Sequence, residues 1–319
     1  MIQVYYGQIK GLCGCITSMW QRVKSLAGRF VMWAGRYFGV WVIRIVAWCV
    51  AAGYFLFERN RRRTSVAFYQ AVFPGESRRF YLLCTWRQFQ ALSQSYCDEM
   101  AFSFGEPVNT TAEGREYIKE AVQSGKGGIL LISHLGNWGV AARIFQRAGF
   151  KLMLIMGERE AKQVARQHRE GLMGEGMKIL ISKPEDSDSL LTGIEALKFI
   201  REGGFLCLAG DITWSDPRSR LTVKFFNRDI YLPTGPHLLA LVSGAPVFTM
   251  FNFRQPGGKY RFLILPPRYV KAPSRELRND VIEKSAQLYA SQLEEAVRRY
   301  PYEWHIFEPI FVNSKTEEK

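Results

Sequence analysis

Apolar positions are distributed in two ways along this chain. From about residue 106 onward, short wholly apolar runs alternate with longer segments of mixed polarity; before it, apolar and aromatic positions fuse into long stretches. Gly127-Gly128-Ile129-Leu130-Leu131-Ile132 is a glycine pair followed by an unbroken apolar run, the pattern of a strand buried on both faces. Further strands are predicted at Lys151 to Met156, Lys178 to Ile181, Phe205 to Ala209, Pro246 to Phe253 and Tyr260 to Leu265. Helices are predicted around 113–124, from Asn137 to Gly149, around 160–173, from Ser189 to Arg201, after Thr234-Gly235-Pro236, and from about Ser274 to Arg299. Val223 to Leu232 reads as a hairpin. This alternation predicts an α/β fold in layers, a central mixed sheet flanked by helices.

The first hundred residues follow a different pattern. Phe38 to Phe57 is twenty residues with one charge, Arg44, which is long enough to span a bilayer. A charge near the middle costs roughly 2.5 to 3.5 kcal/mol there, so a helix lying in the interface or a hairpin competes with a span. Arg59, Arg61, Arg62 and Arg63 follow at once and place the rest of the chain on the cytoplasmic side, although Arg22, Lys24, Arg29 and Arg36 on the other flank weaken that assignment. No small-residue cleavage site closes the stretch, so it does not read as a signal peptide. Residues 64–105 read as helices rich in Phe, Tyr and Trp, broken at Pro74-Gly75. Their aromatics either pack or hold lipid. The expected organisation is a membrane-anchoring helical region over 1–63, a main domain over 64–312, and a polar disordered tail over 313–319.

A formal charge of +14 favours an anionic partner: nucleic acid, an anionic leaflet or an acidic carrier protein. No zinc finger, RNA-recognition or basic-zipper signature is present, which argues against nucleic acid. The six cysteines are scattered without a CxxC pair, as expected of reduced thiols, and four histidines without paired spacing do not make a metal site. No cofactor is implied.

Two residues carry the candidate chemistry. His134 follows the first apolar strand and Asp211 ends another, so both are expected at the carboxyl edge of the sheet, where open α/β folds bind ligands. Glu158 also follows an apolar strand. Arg159, Arg218, Arg220, Lys224 and Arg228 lie in loops and a hairpin, where they either bind phosphate or form a solvated face. His168, His237 and His305 read as a solvated helix residue, a packing residue and a structural residue near the site. No G-x-S-x-G elbow is present, so a covalent intermediate on serine is not expected.

The run Ser133-His134-Leu135-Gly136-Asn137-Trp138-Gly139 resembles the HLGNWE stretch of the lipid A acyltransferase branch of the lysophospholipid acyltransferase superfamily. Gly210-Asp211, Phe225-Phe226-Asn227, Pro233-Thr234-Gly235-Pro236 and Gly244-Ala245-Pro246-Val247 follow in that family's order. The resemblance implies the superfamily's layered fold and transfer of an acyl group from a thioester, on acyl carrier protein or coenzyme A, to a hydroxyl of a glycolipid such as a lipid A precursor. It implies His134 as general base and Asp211 shaping the site. Asn137, Trp138, Arg159, Arg220, Phe225, Phe226 and Gly235 would bind substrate, at the cytoplasmic face of a bacterial inner membrane. The high positive charge favours the acidic carrier protein as donor. Gly139 stands where the family's His-x4-Asp/Glu motif has its acid. Either another carboxylate, Asp211 or Glu158, replaces it, or the enzyme is slow, or the chain is an inactive homologue that binds acyl lipid or carrier protein as a scaffold.

Overall fold

The computed structural model describes Trp33, Tyr37 and residues 39–103, 105–157, 173, 177–182, 186–212 and 219–312. Among the described elements three helices come first: α1 (Val40–Phe57), α2 (Arg59–Val72) and α3 (Arg78–Ser103). Then follow β1 (Thr110–Glu113), α4 (Arg115–Gln123), β2 (Gly128–Ile132), α5 (Trp138–Arg147), β3 (Leu152–Gly157), β4 (Lys178–Ser182), α6 (Asp186–Arg201) and β5 (Phe205–Ala209). A hairpin of β6 (Arg220–Phe225) and β7 (Arg228–Pro233) precedes α7 (Gly235–Ser243), β8 (Val247–Gln255), β9 (Lys259–Ile264) and α8 (Arg278–Arg299).

The main sheet has seven strands in the order β1-β9-β8-β2-β5-β3-β4. Strands β8, β2, β5, β3 and β4 run parallel, β9 runs antiparallel to β8, and β1 runs parallel to β9, so the sheet is mixed but mostly parallel. The central strands β2, β3 and β5 are apolar throughout because each face is covered. Ile129 and Leu131 of β2 point into a core shared with α6, α7 and α8, while Leu130 between them joins Val140 of α5 and Ile118 of α4 on the other side. The β6–β7 hairpin stands apart from the sheet and turns at Phe226 and Asn227, whose φ of 49° and 60° make a two-residue turn of the I′ type.

Strand β1 is a departure from the expected pattern. Its residues, Thr-Thr-Ala-Glu, are all exposed, so no apolar signal marks them; pairing with β9 from Thr110↔Tyr260 to Glu113↔Leu263 makes the strand. The long apolar stretch near the N-terminus, for which a span, an interfacial helix and a hairpin were all open, is bent. It ends as a helix at Phe57 and turns by 87° into α2, and no single helix among the described residues is long and apolar enough to cross a membrane. Arg62 stabilises the break by donating from Nη1 to the carbonyls of Phe55 and Leu56 left open at the end of α1. Helix α2 runs without interruption through residues 63 and 64, and its Phe68 and Tyr69 are core residues. The helix expected over 160–173, apart from Met173, and the tail after 313 lie outside the described residues.

Candidate active site

The parallel register of β2 and β5 pairs Ile132 with Ala209. Two further residues along each strand bring the chain past the sheet edge to His134 and Asp211, which therefore meet. His134 Nδ1 lies 3.0 Å from Asp211 Oδ1, and the His134 amide donates to Oδ2 at 2.7 Å. The carboxylate is fully buried, whereas the imidazole keeps 24% of its side-chain surface exposed. A carboxylate oxygen facing Nδ1 accepts its proton, which fixes the tautomer and leaves Nε2 as the basic nitrogen.

A second donor to Oδ2 comes from the distant end of the domain, where the Trp304 indole Nε1–H reaches it at 2.8 Å. The segment 303–305 runs antiparallel to the histidine loop. Leu135 bridges Trp304, the Gly136 amide donates to the Glu303 carbonyl at 2.8 Å, and the His305 amide donates to the His134 carbonyl at 2.9 Å. Gly210, just before Asp211, permits a close approach of Tyr289: a Cβ at this position would lie 2.6 Å from the Tyr289 Cζ. The Tyr289 hydroxyl donates to the Ile132 carbonyl at 3.1 Å, and burial together with the Asp211 charge pushes its pKa well up.

The loop after His134 is tightly packed. Gly136 adopts φ +80°, and a Cβ there would lie 1.8 Å from the Asn252 carbonyl oxygen. Asn137 caps α5 by accepting from the Val140 amide at 3.1 Å, and its Nδ2 donates to the Ser95 carbonyl at 2.8 Å. Behind it lies a polar cluster between α3 and the sheet. Arg254 Nε donates to Asp98 Oδ2 at 2.6 Å, and the buried Tyr260 hydroxyl donates to the same oxygen at 2.9 Å. Burial raises the Glu303 carboxyl to about 7, against the pull of Arg254, and raises Glu99 to about 7, against the pull of Arg143. His305 shares a hydrogen bond with Ser95 at 3.3 Å, and burial lowers its pKa to about 3.

The other expected site residues lie as follows. Phe225 and Phe226, expected to touch substrate, are core residues: Phe225 packs edge-on against Trp304 at 5.3 Å, and Phe226 packs against Phe225 at 4.7 Å. Phe225 thus lies directly against the indole. Arg220, expected to bind phosphate, lays its guanidinium over the Tyr231 ring at 3.7 Å within the hairpin; Lys224 pairs with Asp229, and Arg228 covers Phe311. Gly235 opens α7 ahead of Pro236. Gly139 is buried in the first turn of α5 and supplies no carboxylate. Trp138, next to it, lines a small apolar cavity of about 20 Å³ with Leu130, Ile132, Phe145 and Met250, between the sheet and α5. Glu158, Arg159 and Arg218 lie outside the described residues. His237 is buried, shares a hydrogen bond with Ser285 at 2.9 Å, and is lowered to about 4 by burial and then by Arg268. Among the described residues no three His, Cys, Asp or Glu side chains gather as metal ligands.

Trp304 lies outside the site residues expected from the sequence, although a signal is present: a buried indole N–H requires an acceptor, and Trp304 precedes a histidine in an aromatic run. Tyr289 gave no signal beyond its place on a helix face.

Residues 101–312 match the family described as bacterial lipid A biosynthesis acyltransferase. The chain is 23% identical over 214 residues to a phosphatidylinositol mannoside acyltransferase of Mycolicibacterium smegmatis, covering 64% of this chain and 63% of that protein. It is 24% identical over 213 residues to the protein of the same name from Mycobacterium tuberculosis, covering 65% of this chain and 61% of that one. The chain thus spans less than two thirds of the length of either relative.

Proposed function

The chain belongs to the bacterial lipid A biosynthesis acyltransferase family, and from that premise we propose that it transfers a fatty acyl group from a thioester to a sugar hydroxyl of a membrane glycolipid. The observation that carries the reading is the His134–Asp211 pair at the carboxyl edge of the sheet, with the carboxylate buried and the imidazole partly open. In this scheme Nε2 takes the proton of the acceptor hydroxyl as its oxygen attacks the thioester carbonyl. The C–S bond then breaks, and the departing thiolate takes the proton back from the imidazolium. Asp211 orients the ring and stabilises its cation, the part that the family motif gives to the residue standing at Gly139 here. The lost acid is thus replaced from a neighbouring strand.

The donor is an acyl thioester of carrier protein or coenzyme A; the charge of +14 favours the acidic carrier. The acceptor class joins the lipid A precursors of the family description with the mannosylated phosphatidylinositols of the relatives' names: both are anionic glycolipids bearing free sugar hydroxyls. The place of action is the cytoplasmic face of a bacterial inner membrane, reached through the apolar surface of α1.

The test is acyl transfer by purified full-length protein on glycolipid-containing vesicles, with acyl carrier protein and coenzyme A thioesters as donors and mass spectrometry as readout. The expected result is an acceptor heavier by one acyl group, with no product from His134→Ala. Gly139 favours a second reading, a scaffold that binds acyl lipid without turning it over. An inert wild type that gains transfer on Gly139→Glu would establish that reading and overturn the first.

A further inference from the structure

Three N–H groups converge on Asp211, and the imidazole supplies one of them. The His134 amide and the Trp304 indole both reach Oδ2, at 2.7 and 2.8 Å, which leaves Oδ1 facing Nδ1 at 3.0 Å. The carboxylate torsion of an aspartate is broad and nearly two-fold, so its oxygens exchange readily unless donors of fixed direction hold one of them. The amide supplies one direction from the histidine loop. The indole supplies a second from a segment far along the chain.

We propose that Trp304 is a positioning residue for acyl transfer, holding the Asp211 carboxylate so that His134 keeps its proton on Nδ1 and its lone pair on Nε2. The inference rests on the reading of His134 as general base. The indole is well suited to this task because it cannot swing. Phe68 and Phe225 pack edge-on against it at 5.1 and 5.3 Å, and the Gln88 side chain donates to its carbonyl at 2.6 Å. Its backbone bridges Leu135, the residue after the histidine. Donor, carboxylate and imidazole are therefore fixed to one another through three separate connections. A phenyl ring would fill most of the same space but present no N–H, so the need for an indole at this position lies in the hydrogen bond rather than in packing alone. Without that bond the carboxylate turns more freely, and the tautomer with its proton on Nε2, which cannot accept a proton from a hydroxyl, gains population.

The experiment is Trp304→Phe, read in two ways. Histidine-labelled protein in detergent, observed by nitrogen NMR above the imidazole titration, reports the tautomer of His134 directly, with His134→Gln used to assign the signal. The wild type is expected to show one tautomer with the proton on Nδ1, and the variant a mixture. In the transfer assay kcat is expected to fall roughly 10- to 100-fold, the scale of one hydrogen bond to a charged group, with KM for donor and acceptor changed less than about twofold. A variant that keeps the wild-type tautomer overturns the proposal, even if its melting temperature and activity drop, because lost packing alone produces those. If the wild type transfers no acyl group, the proposed function fails while the NMR comparison still decides the role of Trp304.

Discussion

At the scale of single residues the site is decided by one contact that a substitution removes cleanly. Asp211→Asn keeps the shape but presents either an amide N–H or a weaker acceptor to Nδ1, and is expected to lower kcat by roughly 1,000- to 10,000-fold with little change in fold, by analogy with the orienting acid of serine proteases. Steady-state transfer kinetics beside a thermal melt check this; a loss under tenfold would remove Asp211 from the scheme. Gly136→Ala acts through the backbone instead. Its Cβ would fall 1.8 Å from the Asn252 carbonyl at a φ of +80°, so it is expected to cost about 3 kcal/mol or more, near 10 °C in melting temperature. His134 was legible in the sequence because it follows an apolar run, and Asp211 for the same reason. Their contact was not, since it depends on the register between strands 77 positions apart. Trp304 was less legible still, its partner being 93 positions away.

At the scale of elements, the strands buried on both faces were legible because nothing but a two-sided core makes a run such as Gly128–Ile132 wholly apolar. Strand β1 was not, because an exposed edge strand carries no such pattern; the hairpin over Val223 to Leu232 was legible, although its Phe226-Asn227 turn lacks the glycine that usually announces a hairpin of its type. The packing of α3 and the 303–305 segment against the sheet has a pH signature. Glu99 and Glu303 are raised to about 7 in the fold, so they hold protons there that the unfolded chain releases near 4.5. Their contribution is complete below pH 4.5 and is lost as pH rises through 7. His237, lowered to about 4, and His305, lowered to about 3, act oppositely: their contribution is present above 6.5 and lost as pH falls. The two pairs oppose each other between about 4.5 and 6.5, so stability from urea denaturation is expected to be nearly flat there and to fall toward pH 7 and above. Glu303→Gln should reduce that decline and raise stability at pH 8; an unchanged pH curve would contradict the assignment.

At the scale of the whole molecule, exposed apolar side chains along α1 are followed in the chain by exposed cations. Trp41, Ile45, Trp48, Leu56 and Phe57 are exposed, and Arg59, Arg61 and Arg63 follow beyond the bend. On the proposed reading this surface lies in the headgroup region and the arginines meet anionic lipid. Binding to vesicles containing anionic phospholipid should blue-shift tryptophan emission and weaken with salt. Replacing the three arginines with glutamine should weaken binding roughly 100-fold, at about 1 kcal/mol for each charge. Equal binding to neutral vesicles, or no effect of the replacement, would remove the cations from the account. The apolar stretch was legible in the sequence as a helix, but its sharp end at Glu58 was not, because Arg62 stabilises the break through carbonyls that only the folded bend exposes.

The antiparallel seam between the 134–136 loop and residues 303–305 also bears on biosynthesis. A chain still being translated can complete its sheet edge and juxtapose the two strand ends, yet the indole and its neighbouring amides are missing until position 304 has left the ribosome. On the proposed reading the site is therefore complete only once position 304 has been made, well after the apolar stretch at 38–57 has emerged.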